Sequence, residues 1–107
     1  MKNKNIKPIL NEVKETLKKI YGRRLKRIIL YGSHARGDAA QGSDIDIILL
    51  LEKVKNPLIE RRNFFDKICE LGLKYDTVIS IIPFDEQVYR ERNLPLILNA
   101  KREGIYI

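Results

Sequence analysis

Apolar residues at Ile6, Ile9, Leu10, Val13, Leu17 and Ile20 recur at helical spacing. Pro8 is tolerable in a first turn and Gly22 suits a C′ stop, so the pattern predicts an amphipathic helix over residues 6–20. Residues 25–31 are short, rich in Ile and Leu and closed by Gly32 and Ser33, which predicts a strand ending in a tight turn. Residues 33–40 could form a short helix. From residue 43 to residue 51 apolar and polar positions first alternate and then become continuously apolar, the pattern of a central strand exposed at its start and buried on both faces at its end. Asn56 as N-cap and Pro57 at the first helical position open a second long helix, with Leu58, Phe65, Ile68 and Cys69 as its buried stripe and Gly72 as its stop. A third strand is expected over residues 76–82, with Pro83 just past it. Asp85 can cap a short helix at 85–91, and a last helix over 94–102 has Pro95 in its first turn and Gly104 as its stop. The apolar tail Ile105, Tyr106 and Ile107 follows. The order α-β-α-β-α-β-α-α has no linker, repeat or low-complexity stretch, so one domain over residues 1–107 is expected, of α/β (α+β) class around a small sheet.

Composition supports a packed domain. The 107 residues include 16 Ile and 13 Leu and no Trp, an aliphatic core supply too rich for a disordered chain. The longest purely apolar run, residues 47–51, falls far short of the roughly 20 residues that cross a bilayer, and the start lacks a signal-peptide core. A soluble, cytoplasmic protein with no membrane association is the expectation. A single cysteine, Cys69, excludes an internal disulfide, and a single histidine, His34, excludes zinc-finger and His-rich sites, so any metal must be held by carboxylates. The net charge of +7 is concentrated at the N-terminus: residues 1–30 hold ten Lys or Arg and two acids, the remainder eleven and twelve. Such a segment can attract nucleic acid, nucleotide or an acidic partner protein, or it can be a solvated helix face; no aromatic residues interleave with it as stacking platforms would.

The candidate chemistry lies between the first two strands. Gly32 and Ser33 are followed by ten residues and then Asp44, Ile45 and Asp46. In an extended strand Asp44 and Asp46 leave the same face, about 6–7 Å apart along the chain. Two carboxylates that close repel unless a cation sits between them, and a hard divalent ion such as Mg²⁺ takes oxygen ligands while keeping positions for water and substrate phosphates. Asp76, at the start of the third strand, could join them if that strand neighbours the second; three carboxylates would suffice for two ions. Gly32 allows close backbone approach to a ligand, and Ser33 can offer a hydroxyl and an N–H near a helix start, a ready phosphate cradle. The glycine spacing from Gly32 to Gly37 is Walker-like, but Asp38 stands where lysine should follow, and no GxGxxG is present.

The stretch Leu30 to Asp38, reading LYGSHARGD, and then Gly42 to Asp46, reading GSDID, resembles the minimal nucleotidyltransferases (MNT) of the DNA polymerase β superfamily, whose GSx₁₀DxD signature it matches position for position. The resemblance spans nearly the whole chain, the closing Arg102 to Ile105 included. It implies a small mixed β-sheet flanked by helices. It implies that Gly32 and Ser33 hold the phosphates of ATP, with Arg36 and Ser43 as further nucleotide-binding candidates. Asp44 and Asp46 would bind two Mg²⁺, and Asp76 would complete the metal and catalytic set and help deprotonate the acceptor. The family includes antitoxins paired with HEPN-type ribonucleases, so the resemblance implies transfer of AMP to a hydroxyl acceptor, a tyrosine of a HEPN-type toxin being the expected one. A non-catalytic antitoxin acting by binding alone, or a basic RNA-binding module, are the alternatives. His34 stands where the family varies; Arg36 could equally pair with Asp38 at the surface, and Ser43 could simply start the strand.

Overall fold

A computed structural model of the chain describes residues 5–40 and 42–107; Lys2 and Lys4, counted in the N-terminal charge excess, lie outside that range. Helix α1 (Lys7–Tyr21) has Pro8 in its first turn and ends on Gly22 at φ 54°, followed by a 3₁₀ turn. Strand β1 (Leu25–Tyr31) leads through Gly32 into α2 (Ser33–Arg36), then β2 (Ile45–Leu51), α3 (Pro57–Arg61), α4 (Phe65–Tyr75), β3 (Ile79–Asp85), α5 (Glu86–Glu91), α6 (Pro95–Glu103) and β4 (Ile105–Tyr106). The sheet is mixed, in the order β3-β2-β1-β4, with β2 antiparallel to β1 and parallel to β3.

The apolar run of β2 has the burial its sequence implied. Odd positions Ile45, Ile47, Leu49 and Leu51 pack with Ile9, Val13 and Leu17 of α1 and with Phe64 and Ile68. Even positions Ile48 and Leu50 pack with Ile29, Tyr89 of α5, and Ile97 and Ala100 of α6. A strand buried on both faces has no polar side to offer, so it occupies the interior of the sheet. Among the described residues no helix is long and apolar enough to cross a membrane.

Several boundaries differ from expectation, each for a local reason. The short helix stops at Arg36 because Gly37 takes the left-handed conformation, φ 82°. The long helix after Asn56 is broken at residues 62–64, and the break shifts the buried positions: Phe64 and Ile68 face the core, while Leu58, Phe65 and Cys69 are exposed. The expected core role of Cys69 is therefore corrected. Gly72 does not end α4; a Cβ there would lie 2.8 Å from the Thr77 carbonyl oxygen, so it serves the close return of the chain, and the helix runs on to a left-handed Asp76 at φ 51°. Strand β3 consequently begins three residues after Asp76 and contains Pro83. Ile45 N–H donates to the Val78 carbonyl, and alternation along a parallel ladder turns residue 83 toward the open edge, where a missing N–H costs nothing. The tail beyond Gly104 adds to the sheet as β4, pairing with Ile29 and Leu30.

One buried charge ties the ends of these elements together. Glu60, 8% exposed, accepts from Arg24 at 2.6 Å and from Asn63, anchoring α3 to the turn before β1. Glu60→Ala is expected to lower stability by about 1–2 kcal/mol in urea titrations, the partial exposure of Arg24 keeping the loss below that of a fully buried pair.

Candidate active site

Register places three side chains in a row across one end of the sheet. Tyr31 of β1 pairs with Asp46 of β2, and Asp46 pairs with Ser80 of β3. Paired residues share a face, here the face that α5 and α6 cover further along at Ile48 and Leu50. The row lies beyond that cover and is half-buried.

Directly after Tyr31 the chain turns at Gly32, with φ 76° and ψ −156°, a region open essentially to glycine alone. A Cβ on Gly32 would stand 2.5 Å from Oδ2 of Asp46, so the carboxylate occupies the space that a side chain would take. The Gly32 carbonyl accepts from the N–H groups of Ala35 and Arg36, both at 3.1 Å, and winds α2 up at once, with Ser33 at its first position. The first N–H groups of a helix have no partner within it, and Ser33, directly after Gly32, supplies one of them together with a hydroxyl.

The loop from α2 to β2 is stapled by Ser43 and His34. Ser43 Oγ accepts from the Ala40 N–H at 3.0 Å. His34 Nε2 lies 3.2 Å from the Ser43 carbonyl, which can only accept, so the ring donates through Nε2. These bonds hold the approach to Asp44, which is exposed just before the strand. Burial and the neighbouring Asp44 raise the Asp46 pKa above the ordinary carboxylate value, partly offset by His34 and Arg36. Tyr31 is pushed up by burial and by Asp46. A half-buried carboxylate beside a second one has the donor set and electrostatic need of a hard divalent ion. Asp44 and Asp46 fit such an ion.

Arg36 and Asp76, also expected at the site, have further neighbours. Arg36 is engaged by Asp38 at 3.1 Å and by Glu103 at the end of α6 at 3.4 Å, the surface pairing the sequence allowed, extended to a second acid. Asp76 caps α4 and, with Gly42, lines a cavity of about 500 Å³ on the side of α4. Among the described residues no group of three His, Cys, Asp or Glu side chains is placed to hold a metal. Three of the N-terminal basic residues have partners of their own: Arg24 pairs with Glu60, Lys26 with Glu52, and Arg27 stacks on Tyr106. Arg24, Lys26 and Arg27 lie at the start of β1, about 13–23 Å along the chain from Tyr31 at its end. Sequence reasoning passed over Tyr31 and Ser80. The available signal for Ser80 was a lone polar residue in the run from Val78 to Pro83.

Residues 10–106 match the family model of the nucleotidyltransferase domain. A Methanocaldococcus jannaschii chain named for protein adenylyltransferase activity is 34% identical over 101 residues, covering 94% of this chain and 95% of its own. Among solved structures, a toxin–antitoxin complex with AMP-PNP contains a chain similar at TM-score 0.66 and 20% identity, over 90% of this chain and 69% of that one. A Shewanella oneidensis complex of an MNT antitoxin with a tri-AMPylated HEPN toxin gives 0.59 and 18%, over 90% and 66%. At those identities the structural likeness speaks to the fold, a minimal nucleotidyltransferase core.

Proposed function

Because the chain belongs to the nucleotidyltransferase domain family, we propose that it transfers AMP from ATP to a hydroxyl on a partner protein, a tyrosine of a HEPN-type toxin, and so serves as the antitoxin of the pair. The observation that carries this reading is the Gly32 and Ser33 turn locked against Asp46, with Asp44 beside it: a phosphate cradle and a carboxylate pair in one place. The protein adenylyltransferase name of its relative supports the reaction class, and the tri-AMPylated toxin bound to an MNT antitoxin supports the kind of acceptor.

Gly32 lets the phosphates approach the backbone, and Ser33 donates its hydroxyl and N–H to them. Asp44 and Asp46 would hold Mg²⁺, which when bound offsets charge on the phosphate oxygens. His34 and Ser43 keep the loop before Asp44 in place. Arg36 is close enough to influence Asp46, and on nucleotide binding it would exchange its acidic partners for a phosphate. An acceptor oxygen attacks the α-phosphorus, the bond from that phosphorus to the oxygen bridging the β-phosphate breaks, pyrophosphate leaves, and the acceptor proton passes to solvent. AMP attached to a ribonuclease adds bulk and a negative phosphodiester that oppose RNA entry.

The test is to co-express the protein with the product of the gene beside its own, for which a HEPN-type toxin is expected, and weigh that product intact. A gain of about 329 Da per AMP is expected from the chemistry of adenylyl transfer. A toxin neutralised without any gain in mass would make the antitoxin steric. Ser33→Ala is expected to weaken Mg·ATP binding by about 1.5–3 kcal/mol, the value of a charge-assisted hydrogen bond, measured by calorimetric titration.

A further inference from the structure

We propose that Ser80 is the residue β3 contributes to this site, that its hydroxyl positions the acceptor hydroxyl beside Asp44 and Asp46, and that Asp76 takes no part. The acceptor role rests on the nucleotidyl-transfer reading above; the placement of Ser80 does not.

The placement follows from register. Ser80 is the direct neighbour of Asp46 on the parallel strand, with the strands separated by about 4.8 Å and both side chains on one face. Ile45 pairs with Ile79 and Ile47 with Ile81, and all four point into the opposite core, which confirms the facing. Asp76 precedes the paired ladder, which begins at Ile45 and Ile79. It sits on a helix cap in left-handed conformation, beside the cavity it shares with Gly42.

The chemistry of Ser80 suits its place. Every other residue from Val78 to Pro83 is apolar, and on the same face Ser80 is followed by Ile82 and Phe84. An isoleucine at 80 would continue that packing. A serine at the row's end provides a group that both donates and accepts, so it can hold an incoming hydroxyl without adding a third negative charge to the pair. With two carboxylates instead of three, the nucleotide-free site binds a divalent ion weakly, because affinity for hard cations follows the number of charged oxygen ligands.

Two measurements on the full chain test this. In the first, Mn²⁺ serves as the probe and free ion is read by electron paramagnetic resonance without nucleotide. Ser80→Asp is expected to tighten Mn²⁺ at least about tenfold by adding a ligand charge, while Asp76→Asn leaves it within about twofold. In the second, AMP transfer to the toxin is followed with Ser80→Ala and Ser80→Thr, thermal melts confirming that both are folded. Ser80→Ala should lower kcat/KM for the toxin about tenfold, the worth of one hydrogen bond, with KM for ATP and Mn²⁺ affinity unchanged, and Ser80→Thr should restore transfer. A tenfold loss of Mn²⁺ affinity in Asp76→Asn, or no gain in folded Ser80→Asp, overturns the placement. Equal transfer by Ser80→Ala and wild type overturns the acceptor role. If the wild-type protein itself transfers no AMP, the proposed reaction and the acceptor role fall together, and the Mn²⁺ series still decides where Ser80 sits.

Discussion

Asp46→Asn will reduce AMP transfer by about 10²–10³-fold or more, because it removes a charge placed where phosphate and cation must be balanced. It will do so without unfolding the protein. In EDTA the variant should melt at or above the wild-type temperature, since burial and the Asp44 charge outweigh His34 and Arg36 in disfavouring the wild-type carboxylate. The pH dependence gives an independent check. Asp46 holds its proton to higher pH in the folded chain than its ordinary value, so the folded state binds the proton more tightly than the unfolded one. The ionised group therefore costs stability above its folded pKa, and that cost disappears as pH falls below the ordinary carboxylate value. The stability gap between Asp46→Asn and wild type should narrow across that window. Asp44→Asn should abolish transfer similarly with a smaller change in melting, because Asp44 is exposed. A variant that melts well below wild type while keeping activity would show that the pair is structural.

Gly32→Ala should damage both stability and activity. Its backbone, φ 76° with ψ −156°, belongs to a region that residues with a Cβ occupy only under strain of about 1–3 kcal/mol. The added methyl also collides with Asp46 Oδ2, which can retreat only by leaving its place in the row. The two costs have separate readouts. Urea titration of Gly32→Ala measures backbone strain plus collision, and the double variant Gly32→Ala with Asp46→Ala removes the collision alone. A double variant that recovers part of the lost stability is the expected result. Additive losses would mean that the carboxylate is not packed against the glycine.

Much of this was legible along the chain because it depends on local chemistry. Helix α1, strand β2 and the turn at Gly32 follow from periodicity, from an unbroken apolar run and from a residue without a Cβ. The GSx₁₀DxD spacing carried the family, and it names the residues that the fold brings together at Gly32, Asp44 and Asp46. The break between α3 and α4 was hidden, since no proline or glycine marks residues 62–64 and the sequence supports a helix on either side. That break decides which of Phe64 and Phe65 is buried. The start of β3 was hidden for a related reason. Gly72 has the look of a stop signal, but here its missing side chain admits the Thr77 carbonyl, so α4 runs on and carries Asp76 out of the sheet.

The sequence by itself determined the two parts of the proposed site that lie close along the chain, the turn at Gly32 and Ser33 and the carboxylate pair, because a turn and one strand are enough to place them. Only the tertiary structure decided what stands on either side of Asp46. Tyr31 and Ser80 arrive there through antiparallel and parallel pairing respectively, and register between strands is set by which side chains the two cores on opposite faces accept, a choice made by the whole sheet at once.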